Sequence, residues 1–244
     1  MKQAPILLIL GGMGIFNASA QNDTVGMPHP RGFFYFDFGL TLNYINVNGL
    51  NSSLIPGDKQ DLFETISASG HIGIGLNGPH VFTGIEYERG TGGSFSEPFQ
   101  NASLLTFSQL NYHYGYHSDQ HNRVSYSAQV GVGFTNFNLN EYSSSNSISF
   151  DSLTKQTTAG KAVSSSISLF SEFNFFVEPK IGVVFRSKSQ IFKHYEESAG
   201  IYAGYRYYTS PVNWFTSGGQ FVTNMPLNIR GIPSFSVSLI FRKL

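Results

Sequence analysis

The chain has no cysteine among its 244 residues. That excludes disulfide staples, thiolate metal centres, cysteine nucleophiles and a cysteine-borne lipid anchor. Charge is scarce as well. Only 12% of residues are Asp, Glu, Lys or Arg, about half the ordinary globular share. The signs balance at 15 basic against 15 acidic, so no positive field invites nucleic acid and no acidic tail is present. Long apolar runs are also missing. Beyond residue 20, nothing approaches the roughly 20 consecutive apolar residues that a membrane-spanning helix needs. A helical membrane protein is therefore excluded.

Aromatic residues are abundant, at 15%, and they are placed with a period of two. From Phe34 the positions Phe34, Phe36, Phe38, Leu40, Leu42 and Tyr44 alternate with Tyr35, Asp37, Gly39, Thr41, Asn43 and Ile45. A period of two describes a strand with one apolar and one polar face. The pattern recurs to Phe241. Ile66 to Leu76 and Val81 to Tyr87 repeat it. So do Leu110, Tyr112, Tyr114 and Tyr116, and then Val124 to Phe134. Phe173, Phe175, Val177, Ile181, Val183 and Phe185 follow, then Ile201 to Tyr207, and finally Phe235, Val237, Leu239 and Phe241. Eight such segments, joined alternately by long and short connections, predict an all-β, eight-stranded antiparallel transmembrane β-barrel. Residues 163–233 leave a ten-strand alternative. Glu178-Pro179-Lys180 reads as a turn in that version, and Gln220 to Ile229 as a further strand. In the eight-strand version Pro179 asks for a bulge.

The N-terminus has its own signature. Met1-Lys2, an apolar stretch from Ala4 to Phe16, and Ala18-Ser19-Ala20 read as a signal peptide over residues 1–20. Residues 21–32 read as a periplasmic lead and 33–244 as the barrel. Export and strand parity together predict the outer membrane of a Gram-negative bacterium, with both termini in the periplasm.

The alternation assigns faces to residues. Lipid should meet Phe34, Phe36, Phe38, Tyr112, Tyr114, Tyr116, Phe173, Phe175, Tyr205, Tyr207, Phe235 and Phe241. The lumen should hold Asp37, Glu86, Glu88, Glu172 and Glu178 opposite Lys180, Arg186, Arg206 and Arg242. Eight strands enclose a space that side chains just fill, and buried charges need partners. The expectation is an ion-paired plug; a gated pore is the alternative. Gly73, Gly75, Gly131 and Gly133 fall on the lumen side, where they make room for larger neighbours such as Phe82.

Catalytic and metal patterns are weak. His113, His117 and His121 recur every four residues, which on a strand spans roughly 13 Å, so they read as solvated side chains. His117 and Ser118 are adjacent and would point to opposite faces. The loop acids Asp58, Asp61, Glu64, Glu97, Glu141 and Asp151 have no histidine close in sequence. No cofactor loop is readable, since no helix follows the glycines.

The chain resembles the OmpA/OmpX-like superfamily of small outer-membrane barrels, often called porin-family or outer-membrane β-barrel domain proteins. The resemblance covers residues 33–244. It rests on the segments 179–186, Pro-Lys-Ile-Gly-Val-Val-Phe-Arg, 201–208, Ile-Tyr-Ala-Gly-Tyr-Arg-Tyr-Tyr, and 235–241, Phe-Ser-Val-Ser-Leu-Ile-Phe. It implies insertion by the barrel-assembly machinery. The family ends on an aromatic residue, whereas here Arg242, Lys243 and Leu244 follow Phe241. The expected function is a non-enzymatic structural or interaction role, such as an accessory subunit beside another outer-membrane protein. A narrow channel for ions or small solutes is the runner-up, and a lipid A-modifying enzyme stands below both. The segment Asn138 to Ser168 and the loop around Trp214 are the expected contact surfaces.

Overall fold

The computed structural model describes residues 33–49, 65–96, 101–118, 123–143, 166–187, 195–223, 225 and 227–243. The signal and lead, His121 and all the loop acids except Glu141 lie outside the described residues, as does the side chain of Glu141. Nine strands form: β1 Phe33–Tyr44, β2 Ile66–Asn77, β3 Val81–Ser96, β4 Asn101–His117, β5 Val124–Ser143, β6 Ser166–Arg186, β7 Tyr195–Tyr208, β8 Phe215–Thr216 and β9 Gly231–Lys243. All except β8 pair antiparallel with a neighbour on each side, β6 also pairs with β8, and β9 returns to β1. The barrel is closed with eight strands. Ten are not present. Pro179 lies within β6, opposite Val130, and 220–229 adds no barrel strand. Nor is there a bulge at Pro179: Val177 faces Tyr207 and Lys180 faces Gly204 in one unbroken register.

The register fixes the barrel's shape. Stepping between paired residues from Phe33 leads through Asn77, Phe82, Gly115, Gln129, Lys180, Gly204 and Ser234, and arrives back on β1 at Asn43. The displacement from 33 to 43 is a shear of ten residues. With strands about 4.8 Å apart and a rise near 3.3 Å per residue, this shear tilts the strands by about 40°. A barrel of that size holds side chains and little else.

Polarity reverses along the strands. At the end that carries both termini, the outer face is apolar and the inner face mostly polar, with one small buried apolar cluster of Tyr35, Phe82, Val184, Tyr202 and Ile240. On β5, Val124, Tyr126, Val130 and Phe134 point out while Ser125, Ser127 and Thr135 are buried inside. Past Tyr87, Leu110, Phe134 and Phe173 the order inverts. Arg89, Thr91, Thr106, Ser108, Asn136, Asn138 and Asn140 now face outward, and Leu105, Phe107, Phe137 and Leu139 face inward at 2% exposure or less. The first arrangement suits hydrocarbon outside; the second is that of a barrel in water. Phe34 to Tyr44 spans about 33 Å along β1, or about 25 Å of height at that tilt, which matches the apolar band of a membrane barrel. The change of sign therefore marks the membrane boundary.

That inversion explains why β3, β4 and β5 run further than the sequence pattern suggested. β3 continues to Ser96, β4 begins at Asn101, and β5 continues to Ser143. Polar residues on the outer face resemble loop when apolar-out is assumed throughout. Strands β3 to β6 consequently rise above the others as a wall; most of the segment from Asn138 to Ser168, expected as a contact surface, lies outside the described residues. The wall's apolar inner side is covered from across the barrel. Val212, Trp214, Leu227 and Ile229, on the segment joining β7 to β9, pack with Ile45 and Val47 against Leu105, Phe107, Phe137 and Leu139. Trp214 is 1% exposed, and its ring lies 6.2 Å from that of Phe137. The Trp214 segment was expected as a contact surface. Its tryptophan instead caps the barrel mouth, because burying indole on the wall removes more apolar area from water than displaying it.

Candidate functional site

Below the apolar cap, the lumen is crossed by five charged side chains in a chain of contacts. Glu86 Oε1 lies 3.3 Å from Lys180 Nζ. Lys180 Nζ lies 3.2 Å from Glu178 Oε2. Arg206 Nη2 donates to Glu178 Oε1 and to Glu88 Oε2, both at 3.1 Å. Five strand positions build this arrangement. Glu86 and Glu88 are two residues apart on β3 and so share the inner face; Glu178 and Lys180 do the same on β6. Arg206, on β7, comes opposite Glu178 by register.

Neutral donors complete the carboxylates. Glu88 also accepts from Asn43 Nδ2 at 3.0 Å, from Ser69 Oγ and from Gln109 Nε2. Ser234 Oγ donates to Glu178 at 3.1 Å. Arg206 is 0% exposed, and its guanidinium sits 5.2 Å from the centre of the Phe176 ring, a cation–π contact. This is the expected ion-paired plug, built from Glu86, Glu88, Glu178, Lys180 and Arg206.

The other expected lumen charges divide differently. Arg186 and Arg242 face inward, but they pair with Glu196 at 3.0 and 3.4 Å near the terminal end, apart from the central chain. Glu196 was missed because the alternating pattern begins only at Ile201, whereas β7 begins at Tyr195. Asp37 lines the lumen but forms no ion pair among the described residues, and its Oδ1 has no hydrogen-bond partner. Glu172 is not in the lumen at all. A bulge places Glu172 and Phe173 together opposite Asn136, with Thr135 paired to Asn174 and Phe137 to Ser171. Phe173 adopts φ 54° there, and its N–H donates to Asn136 Oδ1 at 2.8 Å. The extra residue shifts the parity of the strand, so Glu172 turns outward. Alternation alone cannot register such a shift. All twelve aromatics assigned to lipid do face outward.

His113 and His117 are not the solvated side chains expected. His113 Nε2 and Tyr35 Oη share a 2.6 Å hydrogen bond. His117 stacks on Phe82 at 4.4 Å, and His71 lies between Thr41 and Ser238. Their strand parity, already visible in sequence, could have placed them inside. Among the described residues no cluster of three potential ligands would hold a metal. Glycines make the necessary room, as expected: a Cβ on Gly73 would sit 2.0 Å from Asp37 Oδ1, and one on Gly75 2.5 Å from the Tyr35 ring. The space left beside Asp37, Glu86, His113, Lys180 and Tyr202 is a cavity with about 30 Å³ open to the centres of water molecules, room for about two waters.

No protein-family model matches the chain, and no curated protein matches it. Solved structures of small outer-membrane barrels are similar to it. Neisserial surface protein A shares 10% identity over 87% of this chain and 96% of its own, with a TM-score of 0.46. Ail, the attachment invasion locus protein of Yersinia pestis, shares 11% over 86% and 98%, with a TM-score of 0.44. OprG from Pseudomonas aeruginosa shares 9% over 88% and 97%, with a TM-score of 0.42.

Proposed function

We propose that the protein is a non-enzymatic barrel of the Gram-negative outer membrane. In this reading both termini face the periplasm, and the barrel serves as a rigid, plugged platform in a structural or interaction role, such as an accessory subunit beside another outer-membrane protein. The carrying observation is the lumen. It is occupied by a charge network beside a cavity of about 30 Å³, which supports a reading that puts the molecule's accessible chemistry on its outside and its long-loop end. The connections support this orientation: at the end with both termini they are three, six and eight residues long, whereas at the other end three of the four exceed 20 residues and the wall rises there. The catalytic alternative is disfavoured by the only adjacent His–Ser pair. His117 is stacked inside on Phe82, while Ser118 Oγ accepts the Tyr126 N–H on the outer side.

One observation favours the channel reading: between Tyr35 and Glu88 most lumen side chains are polar or ionic, although Phe82, Val184 and Ile240 also line it. Planar bilayers decide between them. The purified protein should give no steady unitary conductance in molar salt. Reproducible steps would replace the platform with a narrow channel. A missing or altered acyl chain on lipid A from wild-type cells, relative to a deletion strain, would reinstate the enzyme.

A further inference from the structure

The rim at the terminal end carries more positive charge than its own carboxylate neutralises. Three arginines hold inward positions there on neighbouring strands. Arg123, immediately before β5, pairs with Arg186 at the end of β6, and its carbonyl accepts the Arg186 N–H at 2.9 Å. Parity places Arg123 on the same face as Ser125, which is buried inside. Arg242, on β9, stands directly opposite Glu196 on β7. Glu196 is the one acid on this inner face of the rim among the described residues. Its Oε1 lies 3.0 Å from Arg186 Nε, and its Oε2 lies 3.4 Å from Arg242 Nη1. Glu197 and Lys243 fall on the outer face, where their signs cancel. Three guanidiniums against one carboxylate leave a formal excess of two positive charges inside the rim.

The donors are in excess as well. Arg242 is 6% exposed and lines the lumen cavity. Its Nε–H finds no hydrogen-bond acceptor among the described residues, and neither does that of Arg186, whose contact with Glu196 is an ion pair without hydrogen-bond alignment. Buried N–H groups left without an acceptor are costly. What lies deeper sets the limit of the site. Two residues further in on the same strands, Val184 and Ile240 pack with Tyr35, Phe82 and Tyr202 in the small apolar cluster. Above that cluster Asp37, Glu86 and Glu178 make the lumen negative. An anion entering from the terminal end therefore meets guanidinium, then hydrocarbon, then like charge. It is held at the rim. The apolar layer excludes water from the back of the site, which strengthens the ionic contacts.

We propose that this rim binds one soluble phosphate monoester. Guanidinium matches phosphate oxygens with paired, parallel hydrogen bonds. Above its second pKa of about 6, a monoester carries close to two negative charges, which equals the excess at the rim. A monocarboxylate would leave one charge uncompensated. The inward direction of the arginines presents the site to water in the barrel's opening and turns it away from the surrounding lipid. In the proposed orientation the ligand comes from the periplasm. The site itself depends neither on that orientation nor on whether the lumen conducts.

The full chain, folded in an uncharged detergent at low salt and at about pH 8, where the monoester is doubly charged, is titrated with glycerol phosphate and followed by phosphorus NMR. One equivalent should bind saturably, and inorganic phosphate should displace it far more readily than acetate does. Arg242→Gln should weaken binding about tenfold, equivalent to about 1.4 kcal/mol, and Arg123→Gln severalfold. Glu196→Gln should tighten binding severalfold, because the carboxylate that competes for the same donors is gone. A residue that merely ties β7 to β9 would not produce that gain. Arg89→Gln, outward beyond the belt, should leave binding unchanged. Heat-modifiable gel migration checks that each variant is folded, and the exposed Arg123 carries the test if Arg242→Gln is not. Absence of saturable binding to the wild type overturns the proposal. So do equal affinities of the wild type and the arginine variants, or weaker binding by Glu196→Gln. Displacement of the monoester by phosphatidylglycerol in nanodiscs would assign the arginines to lipid and overturn it too.

Discussion

Arg206→Met tests whether the lumen is the dry, ion-paired interior described above. Arg206 and both of its carboxylate partners have 0% side-chain exposure. In the wild type, Glu86, Glu88 and Glu178 face Lys180 and Arg206. After the substitution three carboxylates share one ammonium, and Glu88 keeps only neutral donors. Methionine approximates the volume of the lost side chain and can still lie against Phe176, so packing changes little. Removing one member of a buried pair costs about 3–5 kcal/mol, most of it from the carboxylates left uncompensated. With an m-value near 2 kcal/mol/M, the urea midpoint should fall by about 1.5–2.5 M. Refolding in lipid vesicles, followed through the fluorescence of Trp214 and by heat-modifiable migration, gives that midpoint. Adding Glu88→Gln removes one orphaned charge, and amide still accepts from Asn43 and Ser69, so at least about 2 kcal/mol should return. A loss below about 1 kcal/mol for Arg206→Met, or strict additivity in the double variant, would mean that water screens these charges. The plug would then be refuted.

Three further outcomes follow from separate parts of the structure. Ile72→Arg, in the outer belt, should lower stability by about 2–4 kcal/mol, while Asn138→Arg, above the inversion, should change it by less than about 0.5 kcal/mol; equal effects in vesicle unfolding would misplace the membrane boundary. Trp214→Ala should cost about 3–5 kcal/mol and open residues 209–230 to added protease with the barrel intact; unchanged resistance would show that the cap does not depend on this side chain. Gly73→Ala drives its new methyl into Asp37 and should cost about 1–3 kcal/mol, which Asp37→Ala should recover. Gly133→Ala meets the backbone oxygen of Leu110 at 2.1 Å, so no side-chain truncation should rescue it. Recovery of Gly133→Ala by Phe176→Leu would count against the register.

Much of the lumen was legible before any coordinates. Glu86, Glu88, Glu178, Lys180 and Arg206 were all assigned inward by parity alone, because a strand permits only two side-chain directions. Parity failed at Glu172, where one added residue reversed the phase, and it failed silently, since Phe173 is also outward. Arg186 and Arg242 were given the right face but the wrong company. Which charges meet depends on the ten-residue stagger, and the stagger exists only once the sheet closes.

The sequence alone determined a barrel of alternating strands, its apolar belt and its ionic interior, because periodicity and composition are local properties of the chain. Only the tertiary structure decided where the belt stops, since beyond it the same alternation continues with its sense reversed. It also decided that Trp214 seals the mouth and that Arg123, Arg186 and Arg242 gather at the opposite rim. Residues so distant along the chain become neighbours only through closure, and closure is set by pairing across the whole sheet.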